Sequence, residues 1–271
     1  MKPYIKAILF LVVVYFCDFL FRKGLVGHFL PFQLPYNLNI LILFTLFAIV
    51  AWFITKRFAK SDQMEMSDLG ISWSKLNQKE FLIGFLVGVI LWGIVSMSQS
   101  LLAGFSWVVR PDVAILSLLH GLFFIFIADL GTELFTRGYP ITKFKESFGA
   151  KAAIIIMVLF VILKSFSFEQ TGVLLFYSIL IPALHTIFFS IIYFKTSRLG
   201  ASLGIHTGAN FVTISIFDLR VEQESQAIPA GIFEANTSLE NLSIHALQLP
   251  WVVMAALFSI ATYIWWMKKA S

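Results

Sequence analysis

Apolar residues run almost unbroken through eight stretches of the chain, at residues 5–21, 38–55, 81–103, 113–134, 152–168, 172–193, 199–217 and 250–267. A run of about 17–25 such residues forms a helix long enough to cross a hydrocarbon core ~30 Å thick. The pattern therefore predicts an all-α fold, a polytopic membrane bundle of about eight transmembrane helices. Lys2 and Lys6 ahead of the first run resemble the start of a signal peptide. No small-residue cleavage site follows Phe19-Leu20-Phe21-Arg22-Lys23, so a retained helix is expected there. Only two connections are long: 56–80, of mixed charge and expected on the membrane surface, and the acidic 218–249.

Composition narrows the class further. Of the 271 residues, 59% are hydrophobic and 13% charged, where soluble domains carry roughly 25% charged residues. A water-soluble domain, a disordered chain and a nucleic-acid partner are thereby excluded. The net charge of +5 reflects loop lysines and arginines rather than affinity for DNA or RNA. With the N-terminus inside, 15 basic residues fall in inner segments and 5 in outer ones, which predicts both termini in the cytoplasm. Tyr263, Trp265 and Trp266 just before Lys268 and Lys269 fit an interfacial belt with a snorkelling anchor. The lone Cys17 allows no disulfide framework and reads as a packed thiol. Asn236-Thr237-Ser238 and Asn241-Leu242-Ser243 match the glycosylation pattern, which matters only in a eukaryotic secretory setting. The expected location is a cell membrane, most simply a bacterial plasma membrane, with the bilayer itself as the first partner.

Charges at membrane depth cost ~2.5–3.5 kcal/mol each on insertion scales, so those present need a partner or a purpose. Asp129, Glu133 and Arg137 stand four apart in the fourth run and share one helix face. Arg137 can pair with Glu133. In the seventh run His206 and Asn210 are again four apart, with Gly204 and Gly208 on a neighbouring stripe where another helix can approach closely. A histidine supplies a titratable base or donor, and an asparagine a neutral donor suited to an oxyanion. Lys164, ending the fifth run, either snorkels or neutralises a carboxylate from another helix. His120 and His185 read as histidines satisfied within the bundle. Asp18 is expected to be satisfied by Arg22 at i+4. The 30 phenylalanines carry no site signal.

Thr132-Glu133-Leu134-Phe135-Thr136-Arg137-Gly138, then Phe160-x-x-x-Lys164, then His206-x-x-x-Asn210, resembles the CPBP family of CAAX-protease and bacteriocin-processing (Abi-type) intramembrane proteins. Leu69-Gly70-Ile71 before Phe81-Leu82-Ile83-Gly84-Phe85 resembles that family's lead-in, so the likeness covers about 68–215 of a single transmembrane domain, 1–271. The resemblance implies a helical bundle with a chamber open toward the cytosolic leaflet. It assigns bracing roles to Glu133 and Arg137, and oxyanion roles to His206 and Asn210. In active members a first Glu and a second-motif His activate the water. Here Thr132 and Lys164 stand at those two positions.

Neither replacement is a ready base. A Thr hydroxyl needs another group to activate it, and a Lys ammonium has a reference pKa near 10.4. Three rescues are open: Glu133 as base, Asp129 as a substitute carboxylate, or a neutral Lys164 activating Thr132. Alternatively, Lys164 pairs with Glu133 or Asp129 and silences the site. No cofactor is expected. No metal is expected either, since catalytic zinc normally takes three protein ligands and His206 with Glu133 supplies two. The residues therefore favour a family member that binds a membrane-embedded protein or peptide without cleaving it. An active endopeptidase with an altered base is the alternative, and an ion-coupled carrier using Asp129, Glu133 and Lys164 the third reading.

Overall fold

The computed structural model describes residues 1–22, 36–111, 113, 115–165, 171–219, 231–237 and 242–268. In chain order the helices are α1 (Pro3–Arg22), α2 (Tyr36–Ser61), α3 (Lys75–Ala103), α4 (Ile115–Thr136), α5 (Tyr139–Phe148), α6 (Ala150–Ser165), α7 (Gly172–Thr196), α8 (Gly200–Phe211) and α9 (Ile244–Met267). Three short strands, β1 (Trp107–Val109), β2 (Phe217–Asp218) and β3 (Phe233–Ala235), complete the fold among the described residues. Each of the eight apolar runs corresponds to a helix. Six are long and apolar enough to span a membrane: α1, α2, α3, the α4–α5 stretch, α7 and α9. At 16 and 12 residues, α6 and α8 are shorter. A π-helical turn at Val212–Ile216 extends α8.

Local chemistry fixes where the helices start and stop. Ser74 accepts a hydrogen bond from the Asn77 amide at 3.2 Å and caps α3, which Gly104 closes in the left-handed conformation at φ 74°. After α4, Gly138 turns the chain at φ 80° and Pro140 opens α5. No apolar run announces α5. It is amphipathic, and Lys143 reaches back to Asp62, which follows α2, at 2.9 Å. Lys6 of α1 also pairs with Asp62. The α1 N-terminus, the α2 C-terminus and α5 therefore meet at one end of the bundle.

At that same end the Leu69-Gly70-Ile71 segment seats α8. Asn77 donates to the carbonyls of Ser72 at 2.7 Å and Gly70 at 3.2 Å, and accepts from the Gly200 amide at 2.7 Å. Gly70 adopts φ 72°, and its carbonyl accepts from the Leu199 amide at 3.0 Å. Beside this seat Arg198 forks onto Glu80 at 2.8 and 2.5 Å. These bonds hold the Arg198 guanidinium above its usual pKa. From the seat, α8 runs down α3 with Gly204 and Gly208 against the backbone of Phe81 and Phe85, while Gly84 and Gly88 face α8 in return. This glycine seam brings the two backbones into contact.

At the opposite end, the described part of the acidic connection joins a small sheet. Strand β3 pairs antiparallel with β1 and parallel with β2. Arg110 meets Glu234 at 2.6 Å and the buried Asp218 at 3.8 Å. Two acids of the loop are therefore neutralised within a small sheet. Asn236 spends its side-chain oxygen on the Ser106 amide, at 2.9 Å. Arg220, Glu222, Glu224, Glu240, Asn241, Ser238, Lys23 and Lys269 lie outside the described residues.

Candidate functional site

Helix α4 presents Asp129 and Glu133 one turn apart, and the chain leaves the helix at Arg137, so the three side chains line one side of a buried seam. Helix α8 meets that seam with His206 and Asn210. Glu133 is wholly buried, and its Oε1 atom receives both Arg137 Nη1 and His206 Nδ1, the latter at 2.9 Å. Asp129 Oδ1 accepts from the Asn210 amide at 2.8 Å and lies 3.5 Å from His206 Nε2. The imidazole thus bridges two carboxylates, each of which has a second donor. An imidazole with both nitrogens facing carboxylate oxygens satisfies both by donating from both, as the imidazolium does. With Arg137, that form makes the cluster two positive and two negative.

Packing holds the donors in place. The Phe189 ring of α7 packs against His206 at 5.1 Å, tilted by 37°, and lies under the Arg137 guanidinium at 4.8 Å. Sequence reasoning missed Phe189, because one phenylalanine among 30 carries no distinguishing signal. It likewise missed Asn77, whose role depends on a loop and a helix start far apart in sequence. Several buried polar atoms around the seam have no hydrogen-bond partner among the described residues, namely Asp129 Oδ2, Glu133 Oε2, Arg137 Nε and Thr207 Oγ1. Such atoms mark positions where water or a ligand is needed.

Thr132 and Lys164 lie apart from this seam. The Thr132 hydroxyl donates to the Ala128 carbonyl within its own helix at 3.1 Å. Lys164 is paired with Asp18 of α1 at 3.4 Å, and its ammonium sits over the Phe135 ring at 4.6 Å. This corrects one expectation, since Lys164 takes its carboxylate from Asp18 of α1 rather than from Glu133 or Asp129. The Arg22 side chain lies outside the described residues. His185 also differs from the satisfied histidine expected. It sits in an aromatic cage, 5.5 Å from Trp92 and 5.3 Å from Phe188, with Nε2 unpartnered. His120 is half-buried on α4, and Cys17 is a free, half-buried thiol.

Two apolar cavities open between α3, α4 and α8. One, of about 340 Å³ at the basic end, is walled by Trp52, Trp73, Phe81, Phe126, Leu130 and Leu203. The second, of about 380 Å³ between α3 and α4, shares Phe81, Leu82 and Phe126 with it and reaches Thr207 on α8.

Comparison with known proteins bears on this geometry. Residues 114–212, spanning the α4 seam through the His206–Asn210 pair, match the family model described as type II CAAX prenyl endopeptidase Rce1-like. No curated protein and no solved structure matches the chain.

Proposed function

We propose, from the premise that residues 114–212 are CAAX-endopeptidase-like (CPBP family), that this multi-pass membrane protein holds a membrane-embedded protein or peptide without hydrolysing it. The observation that carries this reading is the fate of the two water-activating positions. Hydrolysis of a peptide bond needs a group that takes the proton from water as it attacks, and such a group typically contributes 10²–10⁴-fold. Thr132 has given its hydroxyl to its own helix, and Lys164 neutralises Asp18. Neither is aimed at a substrate held against His206 and Asn210. What the family scaffold retains is a polar seam beside an apolar cleft, a combination suited to gripping a chain that lies partly in lipid. We place this end of the bundle in the cytoplasm, because the basic residues of α1, α2, α5 and the α7–α8 turn gather there. A bacterial plasma membrane is the setting we propose.

One observation favours a second reading. Asp129 Oδ2 is buried without a partner and close to an imidazole, an arrangement that can hold and polarise a water. In that case the chain is an endopeptidase whose base has moved one turn along α4.

A peptide-library assay in detergent separates the two readings. The samples are the unaltered chain, its His206→Ala variant, and a Thr132→Glu/Lys164→His variant carrying Asp18→Asn so that no carboxylate loses its cation. The non-hydrolytic reading expects no His206-dependent cleavage by the unaltered chain. Cleavage by the unaltered chain that His206→Ala abolishes would overturn it in favour of the displaced base.

A further inference from the structure

The seam contains an anion site that the chain fills with its own side chain. Asp129 Oδ1 accepts a hydrogen bond from the Asn210 amide at 2.8 Å, and His206 Nε2 lies within ion-pair range of the same atom at 3.5 Å. Two neutral or cationic donors converging on one oxygen in a water-poor cavity make a binding site for an anionic oxygen. The donors are themselves fixed from behind. His206 is locked through Nδ1 to Glu133 and packed against Phe189, and α8 is seated by Asn77 and the glycine seam. The site is therefore pre-formed rather than shaped by Asp129.

We propose that the Asp129 carboxylate is a built-in occupant of a His206–Asn210 anion site, and that an external carboxylate can bind there only once Asp129 is removed or swung aside. The charged groups facing this site are Asp129, Glu133 and Arg137 from α4 and His206 from α8, with the hydroxyl of Thr207 on its rim. Their charges sum to zero when His206 is an imidazolium. Removing Asp129 therefore leaves one uncompensated positive charge that a small monoanion restores. The cleft between α3 and α4 reaches Thr207, beside the site. The occupied site accords with the non-hydrolytic reading and deepens it, naming a carboxylate as the ligand class the chamber can take. The test below reads donor occupancy and not cleavage, so the two can fail separately.

The experiment is chemical rescue of the full-length chain in lipid nanodiscs. Asp129→Ala is melted in rising sodium formate, with sodium chloride at equal ionic strength as reference. A ligand that binds only the folded state raises Tm as its concentration passes Kd. The expected result is a saturable formate-dependent rise of about 2–4 °C at ten times Kd. The unaltered chain, whose site is filled, and Asp129→Ala/Asn210→Leu, which lacks a donor, should show none. A flat formate response in Asp129→Ala, or an equal response in all three proteins, overturns the proposal. Should Asp129→Ala not fold, infrared spectra of chains labelled with ¹³C-aspartate decide the matter. Asn210→Leu should shift a carboxylate stretching band relative to the unaltered chain, and superimposable spectra would refute the occupancy.

Discussion

Adding one methyl group at Gly208 should disturb the seam from behind. A Cβ built there would lie 2.9 Å from the Phe85 carbonyl carbon and 3.1 Å from its Cα, with the carbonyl oxygen closer still. Favourable carbon contacts lie at about 3.5–4.0 Å, so α8 and α3 must part by roughly 0.5–1 Å. The opposing atoms are backbone and cannot rotate away. Overpacking of this kind costs about 1–3 kcal/mol, and the better helix propensity of Ala returns at most ~1 kcal/mol. A net loss of about 1–2 kcal/mol corresponds to a fall in Tm of roughly 2–8 °C for a chain of this size. Gly93, on the same α3 helix, is the control, because nothing lies within 4 Å of a Cβ built on it. Gly93→Ala should keep the propensity gain and melt at or slightly above the parent. The assay is thermal unfolding of the purified proteins in one detergent, followed by intrinsic tryptophan fluorescence. If Gly208→Ala melts with Gly93→Ala rather than well below it, the backbone-to-backbone seam that positions His206 and Asn210 is refuted.

Other perturbations have equally definite signs. Among the described residues, Glu133→Gln removes the one anion bonded to Arg137 and one of the two facing His206, leaving buried charge uncompensated. It should cost about 3–5 kcal/mol, seen as a large drop in Tm, and a drop within 1–2 °C of the parent would contradict the cluster. Asp18 and Lys164 should show a coupling of about 0.5–3 kcal/mol in a double-mutant cycle of Asp18→Leu and Lys164→Met, whereas strict additivity would mean the pair is incidental. Arg198 with Glu80 is partly exposed, so Glu80→Gln should cost less than about 1 kcal/mol. That cost should shrink further in high salt, because exposed charges are screened. An effect independent of salt would show that Arg198 acts through packing instead.

Much of this architecture is legible in the sequence, for identifiable reasons. The bilayer imposes a length on each spanning helix, and unbroken apolar runs report it directly, so every run became a helix. Four-residue spacing places side chains on one face whatever the tertiary fold. For that reason Asp129, Glu133 and Arg137, and separately His206 and Asn210, were visible as two half-sites. Gly204 and Gly208, also visible in the sequence, seat α8 on α3, while the union of the half-sites lies between α8 and α4. The amphipathic α5 was invisible to a search for apolar runs, because Lys143, Lys145 and Glu146 interrupt it. Strands β1, β2 and β3 are two or three residues each, too short for any period to register. The Asp18–Lys164 pair joins residues 146 positions apart, beyond the reach of any helical spacing. Pairings of that kind follow from which helices become neighbours, and no local pattern encodes that choice.

The central claim is that the seam grips rather than cuts, and isotope incorporation tests it without knowledge of a substrate. Membranes containing the unaltered chain or His206→Ala are incubated in H₂¹⁸O, and peptide termini are then analysed by mass spectrometry for ¹⁸O in new carboxyl groups. Hydrolysis of any membrane protein would place the label there. The account predicts the same set of labelled termini in both membranes. Termini labelled only in membranes with the unaltered chain would establish a working endopeptidase and contradict it.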